Sequence, residues 1–254
     1  MDKTPSLLEI RRAIPSRCFK SNVATSLFYV ARSLVFLLEL SASLYLFRSS
    51  VFASSPVLSA VAHIAYAICQ GTVFWGIFTI GHDAGHGALS RYATLNWIMG
   101  NTLHSFLLTP YEPWRQSHRS HHYHTGNAER DEIFYPDAPM HHKLLTATLG
   151  PSWFLYIVLK NVPGRRNYGA YIWSRREFVG KLAAILTSFL SLLGVVVTLF
   201  AVALRFGWIA VVAYYFAPLL VFASWLVVVT FLHHNDADIH DLSGLLRLGD
   251  AIWR

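Results

Sequence analysis

GHDAGHGALSRYATLNWIMGNTLHSFLLTPYEPWRQSHRSHHYHTGNAERDEIFYP, residues 81–136, decides how the rest of the chain is read. It opens with His82 and His86, four apart, and closes on His118, His121 and His122, spaced three and four apart. On helices, both spacings bring imidazoles onto one face. Five nitrogen ligands converging from two short helices make a metal site. The first pair follows an apolar run ending at Ile80, so the site is expected where a membrane helix emerges.

The remainder of the chain supports a membrane setting. It is 54% hydrophobic with a mean hydropathy of +0.39, which is high for a soluble domain. Apolar stretches longer than about 20 residues predict spans at about 23–47, 56–80, 181–206 and 208–232. The expected fold is all-α: a polytopic membrane protein with four transmembrane helices in two hairpins and a cytosolic histidine-rich cap. Residues 1–254 read as one domain. Within the first span, Arg32 and Glu39 share a face, and burial against other helices or a shifted span is expected for them. His63, in the second, reads as packed and hydrogen-bonded. The apolar stretch Asn96–Tyr111 is short and carries Asn101 and His104, so it reads as interfacial or re-entrant, ended by Pro110 and Pro113. The first twenty residues read as a basic interfacial segment or simple tail, the alternative being a short helix capped by Thr4 with Pro5 in its first position. Pro218 is expected to kink the last helix.

Four spans place both termini and the long middle loop on one side. That side carries 18 Lys and Arg, the other only Arg48 and Arg205. The positive-inside rule then puts the histidine clusters in the cytosol. The net charge of +7 is therefore read as topology rather than as a nucleic-acid surface. Only Cys18 and Cys69 occur, which rules out a thiolate metal cluster and a disulfide framework.

Histidine is thus the main ligand type. Beyond the two boxes stand His233, His234 and His240. This is more than the three or four ligands a zinc site needs, and points to two metal ions. Iron suits an all-imidazole shell if oxygen chemistry is intended. Asp83, Glu129 and Asp131 either orient ligand rings or are solvated loop carboxylates. His124, His141 and His142 lie outside the periodic boxes and read as surface histidines.

At this point the chain resembles a known family. HDAGH at 82–86, LHSFLLTPYEPW at 103–114, HRSHH at 118–122, HTGNAERDEIFYP at 124–136 and TFLHHND at 230–236 resemble membrane fatty-acid desaturases, in particular the acyl-lipid omega-6/omega-3 (delta-12/delta-15) branch. The resemblance implies an oxygen-dependent enzyme with two iron ions that introduces a cis double bond into a lipid-linked fatty acyl chain, in unsaturated fatty acid biosynthesis. It implies His82, His86, His118, His121, His122 and His234 as ligands, with His104, His233, Asp83 and Asp131 as additional or supporting residues. It implies O2 as co-substrate, cytochrome b5 or ferredoxin as electron donor, and an endoplasmic reticulum or plastid membrane. The endoplasmic reticulum is the first expectation. A narrow apolar tunnel selects the methylene by shape. A homo-oligomer is admitted but not required. The family's third HxxHH box is missing before Arg254, so the expectation is a chain truncated ahead of it. The alternatives are a lipid or carotenoid hydroxylase with the same centre, and a catalytically inactive truncated paralogue.

Overall fold

The computed structural model describes residues 5–125 and 175–234, and their side chains at 5–6, 8–125 and 182–230. Asp131, Glu129, His141, His142 and His240 fall outside these, as do the side chains of His233 and His234. Among the described residues all regular structure is helical. A short helix α1 (Leu7–Ala13) precedes α2 (Val23–Arg48), α3 (Pro56–Gly85), α4 (Ala93–Phe106), α5 (Tyr111–His124) and α6 (Arg175–Phe206). Then come α7 (Trp208–Val211), a π-helical turn (Val212–Phe216) and α8 (Ala217–His234). Four segments are long and apolar enough to cross a membrane: Val23–Arg48, Pro56–Gly85, Leu182–Phe206 and Trp208–Thr230.

The helix starts follow from local chemistry. Asn22 caps α2 by accepting from the backbone N–H groups of Ala24 and Thr25 at 3.0 and 3.2 Å. Ser55 caps α3, with Pro56 in the first position, where its missing N–H costs nothing. The first helix is capped by Ser6 rather than Thr4. Ser6 and Glu9 form a reciprocal capping box that satisfies two free backbone donors, and that overrides a Pro5 start. Arg32 and Glu39 do share a face, but both are exposed, and Arg32 lies over the Tyr29 ring at 4.6 Å. The expected burial against neighbouring helices is not what the structure has. His63 is hydrogen-bonded as expected, Nδ1 to the Ser59 carbonyl at 2.7 Å.

Helix α3 is the axis of the fold. It packs against α2, α4 and, most extensively, α8, while α6 packs against α4 and α5. The two hairpins are therefore hairpins by connection, but α8 makes its main contact with α3. Gly71 permits this approach. A Cβ there would meet Val221 Cβ at 2.5 Å and the Pro218 carbonyl at 2.6 Å. Small residues at such crossings let helix backbones close up in a membrane.

The expected disturbance at Pro218 takes the form of the π turn just before it. Pro218 has no N–H to give the Tyr214 carbonyl one turn back. The Tyr66 hydroxyl on α3 donates to that carbonyl instead, at 3.0 Å. Next to it, the Tyr215 hydroxyl donates to the Phe106 carbonyl in the last turn of α4. A core of Phe74, Ile77, Phe78, Leu103, Trp114 and Phe222 fills the space between these helices.

The Asn96–Tyr111 stretch is neither a span nor an irregular loop. It is a helix, α4, with one face buried, and its Asn96 and Asn101 side chains are hydrogen-bonded. The Ser188 hydroxyl on α6, fully buried, donates to Asn101 Oδ1 at 2.7 Å and accepts from the Glu112 backbone N–H at 3.0 Å. One serine of the third span thereby fastens α4 to α5. Pro110 and Pro113 do not merely end the apolar stretch; they open α5, whose cap is Pro110.

Candidate metal centre

The second span does not stop at Ile80. Helix α3 runs on to Gly85 and carries His82 in its last turn, with His86 as its C-cap. The stop signal is Gly87, whose φ of +72° lies in the left-handed region that favours glycine. Its N–H donates to the Ala84 carbonyl at 3.0 Å, and that of Ala88 reaches the Asp83 carbonyl at 2.8 Å. These two bonds close the helix with the paired pattern of a left-handed terminus. The first histidine pair is thus built into the membrane helix itself, while the second box lies on α5.

The four rings of His82, His86, His118 and His122 meet tip to tip. Their candidate ligand nitrogens all lie within 4.8 Å of one another. His118 Nε2 is 2.8 Å from His82 Nε2, 3.0 Å from His122 Nε2 and 3.1 Å from His86 Nε2, and the last two of the first box are 3.3 Å apart. A single ring nitrogen has one lone pair or one proton, so it cannot satisfy three such neighbours by hydrogen bonding. Nitrogens bound about 2.0–2.1 Å from one ion lie about 3 Å apart. The four-nitrogen group therefore fits a metal cation.

The protonation chemistry agrees. Burial, then the neighbouring His82 and His122 rings, push His118 down to about 2; the same causes take His86 down to about 4. Both rings are neutral at pH 7 and offer lone pairs without first losing a proton. Unfolded imidazoles take up protons near 6.5, whereas these two folded rings refuse them until well below that. The metal-free protein is expected to lose thermal stability in detergent as pH falls from about 7 to 5. A variant with both rings replaced by asparagine should show a flatter decline.

The side chains around the group orient it. His82 Nδ1 lies 3.3 Å from Asp83 Oδ1, which favours the proton on Nδ1 and leaves Nε2 free to face the cluster. Trp114, 3% exposed, lies nearly parallel to His118 at 4.8 Å and also packs on His82 at 5.7 Å. His104, fully buried, packs on Trp114 at 4.3 Å. Burial pushes the His104 ring down to about 3, so it is neutral. Room for it comes from Gly81, where a Cβ would strike the His104 ring. Below the cluster, the buried Glu112 carboxylate receives Arg115 Nε and Nη2 at 3.0 and 2.8 Å and Gln116 Nε2 at 3.0 Å.

Of the residues expected to bind metal, four come together. His121 is on the same helix but outside the four-nitrogen group, 97% buried, with its ring 5.4 Å from that of His122. Adjacent helical residues leave the helix about 100° apart, which places His121 beside rather than in line with His122. His234 and His233 close α8, with side chains outside the description. His104 lies one layer behind, and Asp131 falls outside the described residues. Trp114 and the Glu112–Arg115 pair were not singled out as functional from sequence. For Trp114 a signal existed: residues 114, 118 and 122 share the four-residue spacing of one helix face.

Residues 55–249 match the model of the fatty acid desaturase family. Among similar curated proteins is an sn-1 acyl-lipid omega-3 desaturase (ferredoxin) of Synechocystis sp., 35% identical over 241 residues, covering 92% of this chain and 64% of that protein. Another is the acyl-lipid omega-3 desaturase (cytochrome b5), endoplasmic reticulum, of Arabidopsis thaliana, 34% identical over 242 residues, covering 91% and 59%. A third is an omega-6 fatty acid desaturase, endoplasmic reticulum isozyme, of Glycine max, 38% identical over 253 residues, covering 91% and 64%. The chain thus spans about three fifths of the length of these relatives. With the histidine boxes, the helical membrane fold and the family match all in agreement, this chain belongs to the fatty acid desaturase family.

Proposed function

We propose that the protein is an oxygen-dependent acyl-lipid desaturase that introduces a cis double bond into a fatty acyl chain of membrane lipid. The observation that carries this is the meeting of four imidazole Nε2 atoms at the end of a membrane helix, in a chain of this family. A centre held by imidazoles, without thiolates, next to lipid suits oxidation of an apolar substrate better than hydrolysis of a polar one.

Two iron ions held here would supply the oxygen activation needed to remove hydrogen from an unactivated methylene pair. His82, His86, His118 and His122 would hold one of them. His121, beside that group, and His234, at the end of α8, would belong to the set of the second. Asp83 fixes the tautomer of His82. The packed Trp114–Phe78 layer keeps water away from the inner side of the cluster, where Phe78 and Trp114 meet edge to face at 5.6 Å. Electrons come from cytochrome b5 or ferredoxin, the donors that the names of the similar proteins give. The membrane is that of the endoplasmic reticulum, with the clusters on the cytosolic side, as the Lys and Arg distribution supports.

The test pairs metal analysis of detergent-purified protein with lipid profiling of expressing cells supplied with either donor. Near two irons per chain and a new diunsaturated or triunsaturated acyl product are expected. No new product with either donor overturns the reading. His121→Ala should abolish the product while the protein stays in the membrane; unchanged unsaturation in that variant removes His121 from the ligand set.

A further inference from the structure

We propose that Trp114 is a positioning residue of the histidine cluster, a flat wall that sets the ring planes of His118 and His82, is itself seated by Gly85 of the first box and is backed by His104, for which Gly81 makes room. The inference rests on the metal-site reading above. Histidine has a weakness as a ligand. Rotation about χ2 of an imidazole is broad, so the backbone alone does not hold its lone pair on one point. Something flat must press on the ring.

Trp114 meets that need for one ligand of each helix. Its indole is only 16° from parallel with His118 at 4.8 Å, and it contacts His82 at 5.7 Å and 57°. Its place is cut out of α3. A Cβ on Gly85 would lie 2.8 Å from the indole six-membered ring, so the indole fits between the His82 and His86 turns only because position 85 is bare. Four residues earlier, Gly81 is bare for His104, whose ring packs on the same indole at 4.3 Å and 41°. Phe78, one turn earlier on α3, meets Trp114 edge to face. The glycines of GHDAGH therefore shape the inner side of the cluster as the histidines shape its open side. Stacked and edge-on aromatic contacts of this kind hold ring orientation more firmly than aliphatic packing.

The test is titration of the detergent-purified full chain with cobalt(II), read by its visible ligand-field spectrum, on wild type, Trp114→Phe, Trp114→Leu and Gly85→Ala, with His118→Ala as the metal-free control. Trp114→Phe keeps a flat wall and is expected within about threefold of wild-type affinity. Trp114→Leu keeps apolar packing but no plane, and should bind about 10–100-fold more weakly, the range seen when a ligand's support is removed. Gly85→Ala should keep its cobalt stoichiometry with a shifted spectrum, because the added methyl pushes the indole aside. If Trp114→Leu does not fold, Gly85→Ala decides alone. Wild type that takes up no cobalt defeats the metal-site reading and the inference with it. Wild type that binds, with Trp114→Leu and Gly85→Ala both unchanged, defeats the inference alone. So does Trp114→Phe as weak as Trp114→Leu, which would mean that bulk rather than flatness matters.

Discussion

His118→Ala is expected to lower metal affinity by well over 100-fold and to abolish acyl desaturation. Its Nε2 has three close Nε2 neighbours, at 2.8, 3.0 and 3.1 Å, so the other ligands are arranged around it. Losing a supporting residue of a metal ligand typically costs 10–100-fold in affinity, and losing the ligand itself exceeds that. The ring is also half of the Trp114 stack, so its removal frees the indole as well. Metal content of the purified protein and membrane fractionation check this together. Normal membrane insertion with no metal is the expected pair, and normal metal content sinks the assignment. His124→Ala is the matched control: that residue ends the same helix but lies outside the four-nitrogen group, and should leave metal content unchanged.

Arg115→Met should have the largest effect on stability. The Glu112 carboxylate is 1% exposed, and Arg115 covers it with two hydrogen bonds at 3.0 and 2.8 Å. Without the guanidinium, only Gln116 Nε2 and water that cannot easily reach the site remain to compensate a buried charge. Breaking a buried pair from one side costs about 3–5 kcal/mol. The lower figure applies here, because the Arg115 side chain is 37% exposed and part of its gain is already screened by solvent. At roughly 2–4 °C per kcal/mol for a protein of this size, the melting temperature in detergent should fall by about 10 °C. The double variant Glu112→Gln, Arg115→Met should recover much of that loss, since no charge is then stranded. A double variant no more stable than Arg115→Met would show that packing of the arginine stem, not its charge, is what matters.

Much of this architecture is legible in the chain itself. Long apolar runs mark the four spans, because a helix must cover the hydrocarbon with its own side chains. The spacing of His82 with His86 and of His118 with His122 marks two faces, because a turn of helix returns after about 3.6 residues. His121, in the same run of histidines, stands beside the four-nitrogen group, its ring 5.4 Å from that of His122. Gly87 announces where α3 stops, yet the apolar run alone suggested Ile80, because hydropathy marks where lipid ends and not where the helix does. The contacts that needed three dimensions are those between distant segments. Ser188 with Asn101 and Glu112, Tyr66 with the carbonyl freed by Pro218, and Trp114 in the notch at Gly85 each join residues that no local pattern connects.

The unbroken course of α3 from its crossing with α8 to the metal ligands makes the length between them a matter of phase. Gly71 is pinned against Val221 and the Pro218 carbonyl, and His82 and His86 ride on the same rigid rod. Inserting or deleting one residue between Gly71 and His82 would turn both imidazoles by about 100° and move them by about 1.5 Å along the axis. The GHDAGH box would still read intact and the span would still be apolar, but the two histidines would face away from α5. What the stretch in between cannot change is its length.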